Sequence, residues 1–294
     1  MIYNDELDFL QKIILLATGK STEIRHLQFI SGGFVNQSVR VDTNEGKYFI
    51  KFNESQPEAI FNSEAKGLKL LQSHLKSAII PKVEFVGKVD SRQVMVQEYI
   101  QNKAIFNSFW ENLGKTIAEL HSNHQNKAGL NFKTYTNTFE QINDENESWP
   151  HFFFQKRLQV QFGMAYYKGI IEKHYLRKLD SLQTAFEALY EHEPFSLLHG
   201  NLRKENVYPT TTDQVCMVNP AVYFGHREVD IAIAKLFGGF DELFFKTYHA
   251  YYPFLDGNKE RMEIYSLYQL MLYVNLYGTS SYLNHINKIL EKYI

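Results

Sequence analysis

The sequence predicts an α+β fold in two lobes, a small lobe on an antiparallel sheet over residues 1–100 and a larger helical lobe over residues 101–294. Three observations predict it. Apolar residues alternate with polar ones at Val39 and Val41 and again around Tyr48, Ile50 and Phe52, which is the period of a half-buried strand. After residue 105 the apolar positions recur at helical spacing instead. A single β-like island, residues 207–222, interrupts that helical half.

The elements follow in order. Residues 5–18 read as an amphipathic helix, with Asp5 to cap it and Gly19 to end it. A strand at residues 27–30 precedes the hairpin, whose turn is Asn44-Glu45-Gly46. Pro57 opens a helix that carries Phe61, Ala65, Leu68, Leu71 and Leu75 on one face. Residues 81–87 and 94–99 read as two more strands, giving a sheet of about five. Long helical segments follow at 108–122, 152–190, 240–251 and 259–293, with residues 143–148 as a polar surface stretch between them. A small β-rich lobe, a large helical lobe and a late β-hairpin make a bilobal, protein-kinase-like layout.

Composition narrows the classes further. The chain has 294 residues, 44% of them hydrophobic, and a net charge of −2. That balance offers no basic face for nucleic acid. One cysteine, Cys216, excludes an internal disulfide, and its apolar neighbours Val215, Met217 and Val218 suggest a buried structural thiol. No apolar run is long enough to span a membrane, and the first residues lack a basic, signal-like start, so a cytoplasmic location is expected. The sequence names no protein partner.

Within a kinase-like layout several residues fall at positions that carry chemistry. Lys51 lies on the last strand of the hairpin, on the face opposite Ile50 and Phe52. A kinase lysine there holds ATP phosphates and pairs with a glutamate on the next helix, and Glu64 is the candidate. A lone strand lysine is usually just solvated; the glycine pair Gly32-Gly33 before it and Glu64 after it mark this one. Glycines at that place let backbone N–H groups approach phosphates without a Cβ clash. Glu98, Tyr99 and Ile100 end the last strand, where a hinge would bind adenine. In His199-Gly200-Asn201-Leu202-Arg203-Lys204-Glu205-Asn206, Asn201 occupies the position of a catalytic base and Asn206 that of a Mg²⁺ ligand. Asn219, in Val218-Asn219-Pro220-Ala221, stands where a second metal-binding acid belongs. Other candidates are weaker. His121 and His124 lack a third metal ligand at sensible spacing, and the tyrosines at 248, 251, 252, 265, 268 and 273 read as helix core before an acceptor platform.

Ser31-Gly32-Gly33 with Asn36, Lys51, Glu64 to Leu68, Trp149 with Phe152-Phe153 and Arg157-Leu158, Tyr223 to Asp230, Leu236 to Phe240 and Asn275 to Gly278 together resemble the fructosamine kinase family, within the aminoglycoside phosphotransferase-like superfamily. The resemblance covers almost the whole chain. It implies ATP- and Mg²⁺-dependent phosphorylation of the sugar 3-hydroxyl of a ketoamine such as fructosyl-lysine, a step in protein deglycation. It also implies that Asp230 braces the 199–206 loop. The family pattern His-Gly-Asp-Leu-Trp-x-Gly-Asn is broken at Asn201, Arg203 and Glu205, and Asn219 replaces the Asp of Asp-Pro-Ala.

An asparagine can orient a hydroxyl but cannot take its proton, and it offers a metal no charge. Two readings follow. One is a kinase of a ketoamine, or of another small hydroxylated amine, impaired or with a rearranged metal site. The other is a non-catalytic kinase-like protein that binds a nucleotide or a partner.

Overall fold

The computed structural model describes residues 4–30, 36–54, 57, 59–278 and 280–294. The glycine pair Gly32-Gly33 lies outside the described residues.

Helix α1 (Asn4–Thr18) opens the chain and buries Phe9, Leu10, Ile13 and Ile14. Asp5 sits inside its first turn rather than capping it, because the helix already runs at Asn4. Gly19 ends it at φ +71°, its N–H reaching the Leu15 carbonyl at 2.8 Å. Strands β1 (Ile24–Phe29), β2 (Gln37–Thr43) and β3 (Lys47–Asn53) lead into α2 (Ala59–His74), which begins two residues after Pro57. A two-residue strand β4 (Ala78–Ile79) precedes β5 (Val83–Val89) and β6 (Arg92–Glu98). The five long strands form one antiparallel sheet in the order β1-β2-β3-β6-β5. Val39, Val41, Ile50, Phe52, Val94 and Val96 point to the α1 face and are buried with it. Strand alternation therefore sends Lys51 to the other face, paired across the ladder with Met95. Met95 packs there with Ile60 and Phe61 of α2.

The remaining chain is mostly helical. Helix α3 (Asn107–His121) is followed by short strands β7 (His124–Gln125), β8 (Thr134–Thr136) and β9 (Phe139–Gln141). The single helical run expected over 152–190 is broken. Helix α4 (Trp149–Phe153) passes through a π turn, Phe154–Leu158, into α5 (Gln159–Tyr167), and Gly169 at φ +70° separates α5 from α6 (Lys173–Leu189). Strand β10 (Phe195–Leu198) then leads to a 3₁₀ turn, Lys204–Asn206, and the hairpin β11 (Val207–Pro209) and β12 (Val215–Met217). The expected β-island is thus shorter than 207–222: its last residues form the loop that carries Asn219, before β13 (Tyr223–Gly225).

Helix α7 (Glu228–Phe237) was not anticipated as a helix, because Glu228 to Ala234 are all buried and show no polar face. Helices α8 (Glu242–Tyr251), α9 (Asn258–Tyr277) and α10 (Ser280–Tyr293) complete the chain; Gly278 at φ +63° divides the expected 259–293 segment. The polar stretch 143–148 is corrected at its first residue. Asn143 is buried, because its amide bonds the Phe132 carbonyl and Thr134 and receives Arg157 Nη2 at 2.6 Å.

Strand β4 pairs in parallel with β12, joining the two lobes. Gly67 of α2 adds a second join: a Cβ there would meet Pro220 and Val222 at 3.3 Å, so the helix bearing Glu64 lies directly against the loop bearing Asn219.

Candidate active site

A cleft of about 510 Å³ lies between the lobes. Lys51 and Glu64 line it from the sheet side, Glu98, Tyr99 and Ile100 from the connecting segment, and Asn201, Asn206 and Asn219 from the helical lobe. All the site residues anticipated among the described ones therefore surround one space, except Asp230, which stands behind it.

Asp230 is fully buried on α7. Its carboxylate accepts the backbone N–H of His199 at 2.7 Å and of Gly200 at 2.9 Å, and it meets His121 Nε2 at 3.2 Å. His121 also reaches the Tyr248 hydroxyl at 2.8 Å, so it is a buried structural histidine rather than a ligand. Burial holds both His121 and His199 below the usual imidazole range. Gly200, at φ +72°, has the Ala221 carbonyl oxygen 2.0 Å from where a Cβ would stand. Only glycine allows the 199–206 and 218–222 loops to touch so closely. The Ala221 N–H donates to the His199 carbonyl at 2.9 Å across that contact.

The loops converge on a chain of amides. Lys51 Nζ donates to Glu64 Oε1 at 2.5 Å and to Asn219 Oδ1. An ammonium is only a donor, so the Asn219 atom facing it must be the oxygen. Asn219 Nδ2 consequently donates to Asn206 Oδ1 at 2.8 Å, and Asn206 Nδ2 donates to the Asn201 carbonyl at 2.9 Å. Asn201 Nδ2 donates back to the Asn219 carbonyl at 2.9 Å. Asn219 adopts φ +54°, a left-handed conformation that asparagine tolerates better than most residues. The lysine thus sets the orientation of the Asn219 and Asn206 amides, the Asn219 backbone carbonyl orients that of Asn201, and the chain of bonds ties the lobes together.

This donor set does not suit a divalent cation. Mg²⁺ beside phosphates normally uses one or two carboxylates. Asn201, Asn206 and Asn219 are neutral, Glu64 is taken by Lys51, and Glu205 pairs with Arg203 Nε at 2.7 Å. No group of three His, Cys, Asp or Glu residues that could hold a metal occurs among the described residues. A dication sharing Asn219 Oδ1 with Lys51 would also face its ammonium, at ~4 kcal/mol per unit-charge pair for ~4 Å and an effective dielectric near ~20.

The family model for fructosamine kinases matches residues 8–294. The chain belongs to the fructosamine kinase family. Among relatives of this family, a probable ketoamine kinase of Vibrio parahaemolyticus is 33% identical over 272 residues, covering 89% of this chain and 91% of that protein. A crystal structure assigned as a fructosamine-3-kinase of Haemophilus somnus superposes with a TM-score of 0.86 at 28% identity, covering 97% and 96% of the two chains. An aminoglycoside phosphotransferase solved with AMP-PNP and hygromycin B shares the fold, with a TM-score of 0.65 at 14% identity over 96% of this chain and 98% of that one. The family match spans nearly the whole chain, with the kinase-like fold, and Asn201, Arg203, Glu205 and Asn219 lie within it.

Several cleft residues, and the contacts of Arg203, were not legible in the sequence. Arg203 stacks 4.2 Å over the Phe237 ring and donates to the Tyr273 hydroxyl. Tyr135 and Asn137 of the β8–β9 hairpin line the same cleft as Asn201. A signal for that hairpin exists in hindsight: Thr134 to Phe139 alternate around Asn137, which takes φ +54°. Gln97 is buried beside the connecting segment, and its Oε1 has no hydrogen-bond partner among the described residues. Cys216 is buried on β12, and burial pushes its thiol up to about 12.

Proposed function

We propose that the chain binds an adenine nucleotide and a ketoamine, or a related small hydroxylated amine, in the interlobe cleft, and that its phosphoryl transfer is strongly impaired. The observation that carries this reading is the amide chain from Lys51 through Asn219 and Asn206 to Asn201. The nucleotide half is supported by the buried Lys51–Glu64 pair and by the connecting segment. There the Glu98 and Tyr99 N–H groups already bond Lys82 and Lys47 carbonyls, and the Ile100 N–H, which has no partner among the described residues, is left as a donor for an adenine ring. Gln97 Oε1 is the buried acceptor next to it.

The impairment follows from chemistry. Asn201 can position a hydroxyl but cannot act as base, a role worth about 10²–10⁴-fold. Asn201, Asn206 and Asn219 offer no carboxylate to hold the metal ions that neutralise the transferring phosphoryl group in related enzymes. Arg203 and Glu205 favour an acceptor that differs from the family's usual one, since they put a cation and an anion where the pattern has Trp and Gly.

The test is phosphate transfer from ATP to fructosyl-lysine, with wild type run beside Asn201→Asp/Asn219→Asp. The double variant is expected to exceed wild type by at least ~10²-fold, and each single variant by less than its share, because base and metal act as one unit. Wild-type turnover at about 1 s⁻¹ or more would refute the impairment. A double variant that binds Mg²⁺-ATP but leaves the ketoamine untouched would assign the change to the acceptor side, at Arg203.

A further inference from the structure

We propose that the phosphate end of the cleft is a metal-free polyphosphate site. It takes the di- or triphosphate of a nucleotide on Lys51 and on the side-chain N–H groups of Asn219, Asn206 and Asn201, with no divalent cation between them. The proposal rests on the nucleotide-binding half of the reading above and adds the ionic form in which the nucleotide binds.

The donor inventory leads to it. Each of the three amides commits one N–H within the chain of hydrogen bonds and has a second that meets no partner among the described residues. Lys51 uses two of its three N–H groups, on Glu64 and Asn219. Together they line one end of the cleft with donors. Aspartates at 201 and 219 would make the same positions acceptors only, and two carboxylates beside a polyphosphate require a cation to bridge them. The amides remove both negative charges. They also occupy the oxygens a metal would use: Asn219 Oδ1 is held by Lys51, and Asn206 Oδ1 by Asn219 Nδ2. A cation would have to share both oxygens with these donors and stand beside the lysine ammonium without a carboxylate in return. A bare polyphosphate needs neither change, because it adds acceptors to groups that are already donors.

Calorimetry of ADP and ATP binding to the full chain, in excess EDTA and in millimolar Mg²⁺, tests the proposal. Wild-type affinity is expected to agree between the two conditions within about threefold. Asn201→Asp/Asn219→Asp is expected to bind at least ~10-fold more weakly in EDTA and to recover with Mg²⁺. A wild-type protein whose nucleotide binding collapses in EDTA overturns the metal-free site and leaves nucleotide binding itself standing. Absence of binding in both conditions overturns the nucleotide reading and this site with it. The wild-type measurements decide without the variant, should it fail to fold.

Discussion

Asp230 organises the loop beside the cleft without touching it. Two backbone N–H groups and a histidine nitrogen converge on one buried carboxylate, and these bonds fix the strand-to-loop turn that presents Asn201. Asp230→Asn replaces one acceptor oxygen by a donor, which leaves one of the two N–H groups facing an NH₂. The expected cost is ~1–3 kcal/mol, read as a lower urea midpoint with an unchanged slope. An unchanged midpoint would show that the loop is held elsewhere. The brace and the Lys51–Glu64 pair were both anticipated in the sequence, the pair because its residues lie on consecutive elements a short span apart. Arg203 was legible only as a departure from a pattern. Its partners Phe237 and Tyr273 come from α7 and α9, and no local signal links them to residue 203.

At the scale of elements, helix crossings decide how the helical lobe closes on itself. Gly114 of α3 lies against α8 so closely that a Cβ would stand 2.8 Å from Thr247 Cβ and 2.9 Å from the Phe244 carbonyl oxygen and the Tyr248 nitrogen. Gly114→Ala forces the helices apart, at an expected ~1–3 kcal/mol for overpacking, which outweighs the gain in helix propensity. Thermal unfolding followed by circular dichroism checks it, and an equal or higher Tm would contradict the close crossing. Tyr248 on α8 bonds both His121 and Arg227, so loosening this crossing also loosens the support of Asp230. The strands were legible because one face of the sheet is buried and alternation is forced. Helix α7 was not, since a helix buried all round loses the periodic signal by which a helix is read.

The whole molecule depends on buried charge. Arg227 is held by Glu193 at 2.7 Å and Arg261 by Glu228 at 2.7 Å, deep in the helical lobe. His226 lies among these four residues, and burial followed by the Arg261 and Arg227 guanidiniums holds it well below its usual range. Glu193 and Glu228 are each committed to an arginine and do not restore its charge. His121 and His199 are lowered by burial in the same sense. A base whose folded pKa is depressed takes up its proton on unfolding, so stability is full above the unfolded value of 6.5 and falls as pH drops below it. Glu228, raised by burial, acts in the opposite sense, but it is one group against three. The unfolding free energy, read from urea titrations, is expected to fall from roughly pH 7.5 to roughly pH 5.5, by up to ~1.4 kcal/mol per pH unit for each histidine. A flat profile would mean that these imidazoles titrate as they do in the unfolded chain.

By itself the sequence determined the kinase-like succession of sheet and helices, the fructosamine kinase family and part of the cleft lining, from Lys51 and Glu64 to Asn201, Asn206 and Asn219. Those depend on alternation, helical spacing and short motifs, which are local and survive being read in one dimension. Tertiary structure decided what the asparagines do. Read along the chain, Asn201 and Asn219 are two missing acids, a loss and nothing more. In the fold they are two members of a hydrogen-bonded ring with Asn206, set by a lysine from the other lobe. The direction of an amide depends on the donor that faces it, and that donor arrives from a residue 168 positions away.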